Sequence, residues 1–157
     1  MAQTDEATAK WTKQYAVEAT PLGRGSFATV YRGVAQATGQ AVAVKVMNRS
    51  RLGAHAMKML SAEICILRTL HHPNVVCLLD SQATQRQMFI VLEYCRGGDL
   101  AQFIALRGPS PEVVARHFMR QLAAGLGFLG SRNLIHRDIK PQNLLLSEAS
   151  PLAILKV

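Results

Sequence analysis

Leu134-Ile135-His136-Arg137-Asp138-Ile139-Lys140-Pro141-Gln142-Asn143-Leu144-Leu145-Leu146 is the stretch on which the reading of this chain turns. It places a carboxylate (Asp138), an ammonium (Lys140) and a carboxamide (Asn143) within six residues, and an apolar run closes it. Held in one rigid loop, three such groups can orient a hydroxyl, balance a phosphate and bind a metal. A polar surface loop can also group these residues by chance, so the stretch needs support from elsewhere in the chain.

Two upstream segments give that support, in order. Leu22-Gly23-Arg24-Gly25-Ser26-Phe27-Ala28-Thr29-Val30 sets two glycines among β-favouring residues. Glycine lets the backbone approach a phosphate and offer its N–H groups. Strand-like flanks suit a hairpin flap, whereas a dinucleotide fold needs strand, glycines and then helix. Taken alone, the segment is equally an ordinary hairpin. Val42-Ala43-Val44-Lys45-Val46 then places a lysine in an apolar strand. That is costly unless an anion faces the ammonium. Glu63 or a nucleotide phosphate can be that anion; an edge-strand lysine reaching water is the alternative. Flap, strand lysine and polar loop in this order argue against a chance grouping.

The elements around these motifs are legible from periodicity. Tyr15–Leu22, Thr29–Ala35 and Gln40–Met47 read as strands, with a hairpin turn at Ala37-Thr38-Gly39-Gln40. His55–Leu70 reads as a helix burying Met57, Leu60, Ile64 and Leu67, ended by His72-Pro73. Strands follow at Val75–Leu79 and Met88–Glu93, then a turn at Arg96–Asp99, with Asp99 capping a helix over Leu100–Arg107. A second long helix opens at Pro109-Ser110-Pro111 and presents Val114, Phe118, Leu122, Leu126 and Leu129. Leu144–Leu146 and Ile154–Val157 read as short strands. The order describes a small β-rich unit joined to a helical one. Met1–Gln14 is expected to be a polar, disordered leader.

Composition narrows the function classes. The 157 residues are 49% hydrophobic and 18% charged, which suits one folded domain. The formal net charge is +8, but no Lys/Arg run reaches five and no aromatic-interleaved basic stripe appears, so no nucleic-acid partner is expected. Cys65, Cys77 and Cys95 are odd in number and form no C-x-x-C pair, so idle thiols in a reducing compartment are expected. No apolar stretch approaches the length of a membrane span, and a cytoplasmic location is the expectation.

On the flap, Lys45 and the Asp138–Asn143 loop, the chain resembles the eukaryotic-type Ser/Thr protein kinases from about Tyr15 to Val157. The resemblance implies an α+β, protein-kinase-like fold: a complete small β-rich N-lobe over about 15–92, a hinge at 93–99 and the first part of a helical C-lobe over 100–157. It implies ATP and Mg2+ as cofactors and a protein Ser or Thr hydroxyl as acceptor. Gly23–Val30 would form the phosphate-covering loop, with Ala28 in the place of a third glycine, and Leu22, Gly23, Arg24, Gly25, Ser26, Phe27 and Ala28 would be among the nucleotide-binding residues. Lys45 would hold the α- and β-phosphates and Glu63 would pair with it; Val30, Ala43 and Leu145 would sandwich the adenine. Glu93 and Cys95 would be hinge residues behind the gatekeeper Leu92, and Asp99 would meet the ribose. Asp138 would orient the substrate hydroxyl, Lys140 would neutralise the transferred phosphoryl group and Asn143 would hold a magnesium.

Lys140 in Asp-Ile-Lys-Pro-Gln-Asn is similar to Ser/Thr rather than tyrosine kinases. Glu93–Leu100, His117–Leu126 and Gln142–Leu146 resemble the autophagy-initiating kinases, plant and algal members closest, which implies autophagy regulators as partners. In the family an Asp-Phe-Gly follows the segment matching Ile154–Val157, so the chain is expected to be truncated just before it. A catalytically dead ATP-binding or partner-binding remnant is then the alternative reading. Truncation is also expected to expose an apolar patch along Phe118, Leu122, Leu126 and Leu129.

Overall fold

The computed structural model describes residue 11 and residues 13–157, with residue 51 described by its backbone. The chain divides into two compact units. One contains the residues up to Leu70 together with Cys77–Tyr94; the other contains His71–Val76 and Cys95–Val157.

The first unit contains a five-stranded antiparallel sheet and a helix after its third strand. Its strands are β1 (Tyr15–Arg24), β2 (Ala28–Ala35), β3 (Ala41–Asn48), β4 (Leu78–Ala83) and β5 (Gln87–Glu93), in the order β1-β2-β3-β5-β4. A 3-10 turn, Arg49–Arg51, leads into α1 (Ala54–Leu67). The central strands carry the apolar runs: Val42, Val44 and Val91 are almost fully buried. The edges carry the residues a central strand rejects. Pro21 cannot donate to a ladder and sits in edge strand β1, between two register shifts. Polar Asp80, Ser81 and Gln82 sit in the other edge, β4, past a register shift after Leu78.

Strand alternation sends two residue sets to opposite faces. Met47, Met88 and Ile90 pack against Leu60 and Ile64 of α1, with Met57 and Leu67 at the margin, the stripe that periodicity predicts. Val42, Val44, Phe89 and Val91 form a second core cluster capped by Trp11. Its indole stacks on Phe89 at a centroid distance of 4.1 Å. This corrects the expected leader: Trp11 is 5% exposed and belongs to the core. The rest of that expectation falls largely on residues 1–10 and 12, outside the described residues.

Helix α1 ends at Leu67, three residues before the predicted Leu70, because the Thr69 and Leu70 amides fold back to Ile66 and Leu67. The predicted strand Val75–Leu79 is also displaced. Val75 and Val76 belong to the second unit, where the Val76 N–H donates to the Val157 carbonyl at 2.9 Å, and β4 starts only at Leu78.

The second unit contains α2 (Leu100–Arg107), α3 (Glu112–Gly130), a 3-10 turn at Pro141–Asn143, and a two-stranded ladder of β6 (Leu145–Leu146) and β7 (Leu155–Lys156). As predicted, Asp99 caps α2: its Oδ1 accepts from the Gln102 N–H at 2.8 Å. The expected apolar patch on α3 is absent among the described residues. Phe118, Leu122 and Leu129 are buried and Leu126 is half-buried. Phe103 meets Phe118 edge-on at 5.6 Å, and β7 packs along α3.

Candidate active site

The flap is the β1–β2 turn. Gly25 N–H donates to the Ala28 carbonyl at 2.8 Å, which closes it tightly. Leu22 and Phe27 are exposed, as are Gly23, Arg24, Gly25 and Ser26. Val30 stands directly opposite Lys45 across the β2–β3 ladder, and Lys45 stands opposite Ile90 on β5. Ala43, opposite Leu92, lies two positions along the same face. Val30, Ala43 and Lys45 are thus neighbours, each half-buried. A concavity beside the flap is lined by Thr29, Tyr31, Val46 and Asn48, the opposite alternation set, and is no part of this strip.

Glu63 lies one residue before buried Ile64 on α1 and is exposed. Among the ion pairs of the described residues, none joins it to Lys45. The Glu93 N–H donates to the Cys77 carbonyl at 3.0 Å, while its carboxylate accepts from the Cys77 N–H at 2.8 Å. Glu93 is thereby fixed to the residue that leads into β4.

In the second unit the segment after Glu93 is clamped onto β6. The Gly97 N–H donates to Leu146 O, the Leu146 N–H to Gly98 O and the Leu100 N–H to Leu144 O, and Asp99 bridges Leu145. Cys95 is buried. Only glycine fits at 97: an added Cβ would lie 2.2 Å from the Glu148 carbonyl oxygen. The clamp places Asp99 beside Leu145, two residues that the resemblance assigns to ribose and adenine.

The polar loop is built around Asp138. Arg137 before it adopts a left-handed conformation with φ 66°, a strained geometry for a non-glycine residue. That turn directs the Asp138 N–H to His136 Nδ1 at 3.3 Å, which gives His136 a structural contact. Lys140 Nζ lies 2.9 Å from Asp138 Oδ2. Asn143 Nδ2 donates to Asp138 Oδ2 at 2.7 Å and to the Asp138 carbonyl at 2.8 Å. The Lys140 and Asn143 hydrogen bonds hold the Asp138 carboxyl below the usual carboxylate range. The group is solvent-exposed.

Asn143 passes a chemical test for a magnesium ligand. Both its donated bonds use Nδ2, which leaves the carboxamide oxygen as the acceptor, a hard ligand of the kind Mg2+ takes. Among the described residues no cluster of three or more His, Cys, Asp or Glu side chains could hold a metal by itself. A magnesium here would share its coordination with ligand phosphates.

Sequence reasoning left Asn74, His117 and Gln121 without roles. The structure joins them by hydrogen bonds to the backbone of the β6–β7 hairpin. The available signal was the i, i+4 spacing of His117 and Gln121 beside the apolar stripe of α3.

A family model described as the protein kinase domain matches residues 16–157. The chain is 49% identical to the serine/threonine-protein kinase atg1 of Aspergillus clavatus, over 80% of this chain and 16% of that protein. It is 46% identical to the serine/threonine-protein kinase ATG1a of Arabidopsis thaliana, over 87% of this chain and 22% of that protein. The chain thus spans less than a quarter of the length of these relatives. Among solved structures, Rad53 residues 1–466 in complex with AMP-PNP aligns with a TM-score of 0.83 at 28% identity, over 94% of this chain and 38% of that one.

Proposed function

The chain belongs to the protein kinase family, and on that premise we propose that it transfers the γ-phosphoryl group of ATP to Ser or Thr hydroxyls of protein substrates, in the initiation of autophagy. The observation that carries the chemistry is the arrangement of Lys140 and Asn143 on one carboxylate, Asp138. The Ser/Thr specificity and the autophagy setting rest on likeness to Atg1 kinases. Nucleotide binding draws further support from the related fold of a protein crystallised with AMP-PNP.

The substrate hydroxyl oxygen attacks the γ-phosphorus, the bond from that phosphorus to the β,γ-bridging oxygen breaks, and ADP departs with that oxygen. The hydroxyl proton passes to Asp138. A carboxyl held below its usual range is a weak base, so the main work of Asp138 is to orient the hydroxyl and take the proton late. Lys140 supplies positive charge beside the transferred group. Lys45 and the flap amides hold the nucleotide phosphates, and Val30, Ala43 and Leu145 offer apolar surface to the base. Asn143 would hold magnesium through its carboxamide oxygen. When bound, that ion neutralises charge on the phosphates. Glu93, Cys95 and Asp99 complete the nucleotide contacts, and Glu63 pairs with Lys45 in the active arrangement. A cytoplasmic location and partnership with autophagy regulators belong to the same proposal and rest on the kinase reading alone.

The test is transfer of radiolabelled phosphate from ATP to a generic protein substrate, followed by phosphoamino-acid analysis. Label on serine or threonine that disappears in Asp138→Asn supports the proposal. ATP binding with no transfer under any condition favours the non-catalytic alternative. Loss of the gene leaving autophagosome formation intact removes the autophagy part.

A further inference from the structure

Leu155 in β7 directs both its backbone groups away from β6. The β6–β7 ladder closes at the neighbouring pair, where the Ser147 N–H donates to Ile154 O at 2.9 Å. On the other edge of this segment the backbone of residues 74–76 pairs at Val157, and at Leu155 two side chains take the place of backbone. Gln121 Oε1 accepts from the Leu155 N–H at 3.0 Å, and Asn74 Nδ2 donates to Leu155 O at 2.9 Å. The two amides also bond to each other, Asn74 Nδ2 to Gln121 Oε1 at 3.0 Å. Gln121 Nε2 donates to Ala153 O at 3.1 Å and lies 2.8 Å from His117 Nε2. Asn74 is 7% exposed, and its carbonyl receives the Val157 N–H at 3.0 Å.

We propose that Gln121 is a positioning residue for the phosphoryl-transfer loop, acting through the β6–β7 hairpin. This rests on the kinase reading above. Leu155 pairs with Leu146, and β6 begins two residues after Asn143. A grip on β7 therefore sets where β6 lies, and β6 sets where the magnesium-binding carboxamide emerges. The position needs one acceptor and one donor in the same plane, which a carboxamide provides and neither an aliphatic side chain nor an ionised carboxylate does. A glutamate would keep the Leu155 and Asn74 bonds on one oxygen and turn the other against Ala153 O. His117 Nε2 is 3.1 Å from Ala153 O and adjacent to position 121, and its one N–H can serve only one of the two oxygens that then face each other. The groups facing the imidazole are the Gln121 amide, the Ala153 carbonyl and the Phe118 ring at 5.6 Å, and among the ion pairs of the described residues none reaches it.

The experiment measures ATP affinity by calorimetry with and without MgCl2, and backbone hydrogen exchange over 145–157, for wild type, Gln121→Leu, Gln121→Glu and Gln121→Glu with His117→Gln. Gln121→Leu is expected to speed exchange at Leu155 about ten-fold. It should abolish most of the magnesium-dependent gain in ATP affinity and lower magnesium-free affinity by a smaller factor, because β6 carries a single base contact, Leu145, as well as following Asn143. Gln121→Glu, which keeps the Leu155 and Asn74 bonds and loses the one to Ala153 O, should keep a larger part of the magnesium-dependent gain than Gln121→Leu, and the double variant, which also lacks the imidazole, should keep less than Gln121→Glu alone. The positioning role is overturned by unchanged exchange in Gln121→Leu, by equal loss of affinity with and without magnesium, or by a loss in Gln121→Glu as large as that in Gln121→Leu. Wild-type protein that binds no ATP in either buffer overturns the kinase reading itself.

Discussion

Asn143 donates twice to Asp138, to the carboxylate Oδ2 at 2.7 Å and to the backbone carbonyl at 2.8 Å. With Lys140 on the same Oδ2 at 2.9 Å, the carboxylate meets two donors that favour its charged form. The Asp138 carboxyl is therefore held below 3.8, with Lys140 the larger cause and Asn143 the second. Lys140→Met should raise its titration midpoint towards that value, and Asn143→Ala should raise it less. A carboxyl depressed in the folded state lends stability above its unfolded value and loses it as pH falls through the folded one. Any stability linked to this pair should thus fade only below about pH 3.8. Carbon-detected NMR titration of the Asp138 carboxyl measures both shifts, and a larger effect from Asn143→Ala would reverse the ranking.

Lys45 faces Val30 on a half-buried strip and makes no ion pair with Glu63. Replacing it with methionine keeps the length of the side chain and breaks no ion pair among the described residues. Lys45→Met should change unfolding free energy by less than about 0.5 kcal/mol. ATP affinity should fall about 10- to 100-fold, the worth of one charge-assisted hydrogen bond. Calorimetry and urea denaturation separate the two, and an unchanged affinity would remove Lys45 from the nucleotide site.

The motifs were legible because their chemistry is local. Asp138, Lys140 and Asn143 lie within one loop, and strand alternation alone puts Val30, Ala43 and Lys45 on one face once the register is known. Asp99 as a cap and Met57–Leu67 as a buried stripe followed from spacing. What stayed hidden depends on distant partners. Asn74 and Gln121 satisfy a strand edge 34 or more residues away, which no periodicity encodes. Val75 and Val76 look like strand residues and are claimed by Val157. Trp11 sits in a polar stretch, and its burial comes from distant residues, the Phe89 ring and the valines of β3 and β5.

Gly97 and Gly127 make a pair of opposite tests. A Cβ at Gly97 would fall 2.2 Å from Glu148 O and 2.8 Å from Leu146 O, both backbone atoms that side-chain rotation cannot clear. Gly97→Ala should cost about 1–3 kcal/mol or more and disturb the clamp that carries Asp99. Gly127 lies within α3 with nothing within 4 Å of the added carbon. Gly127→Ala should stabilise by about 0.5–1 kcal/mol through helix propensity. Urea unfolding midpoints check both, and equal effects would contradict the packing described for the second unit.

Trp11 stacks on Phe89 and approaches Tyr15 at 5.7 Å, sealing the sheet face opposite α1. Tyr15 extends the seal, because its hydroxyl donates to Asp80 Oδ2 at 3.1 Å, so the two edge strands are tied across that face. Trp11→Ala should destabilise the first unit by about 3–5 kcal/mol, a core truncation rather than the trimming of a leader. Among the described residues the buried indole Nε1 has no hydrogen-bond partner, so none of them offsets its desolvation. Trp11→Phe keeps an aromatic ring on Phe89, removes the orphan donor and should cost under about 1.5 kcal/mol. Circular dichroism melting of the three proteins ranks them, since Trp11 is the sole tryptophan and its removal abolishes tryptophan fluorescence. Equal stability of the alanine and phenylalanine variants would show that the ring contact with Phe89 contributes little to this face.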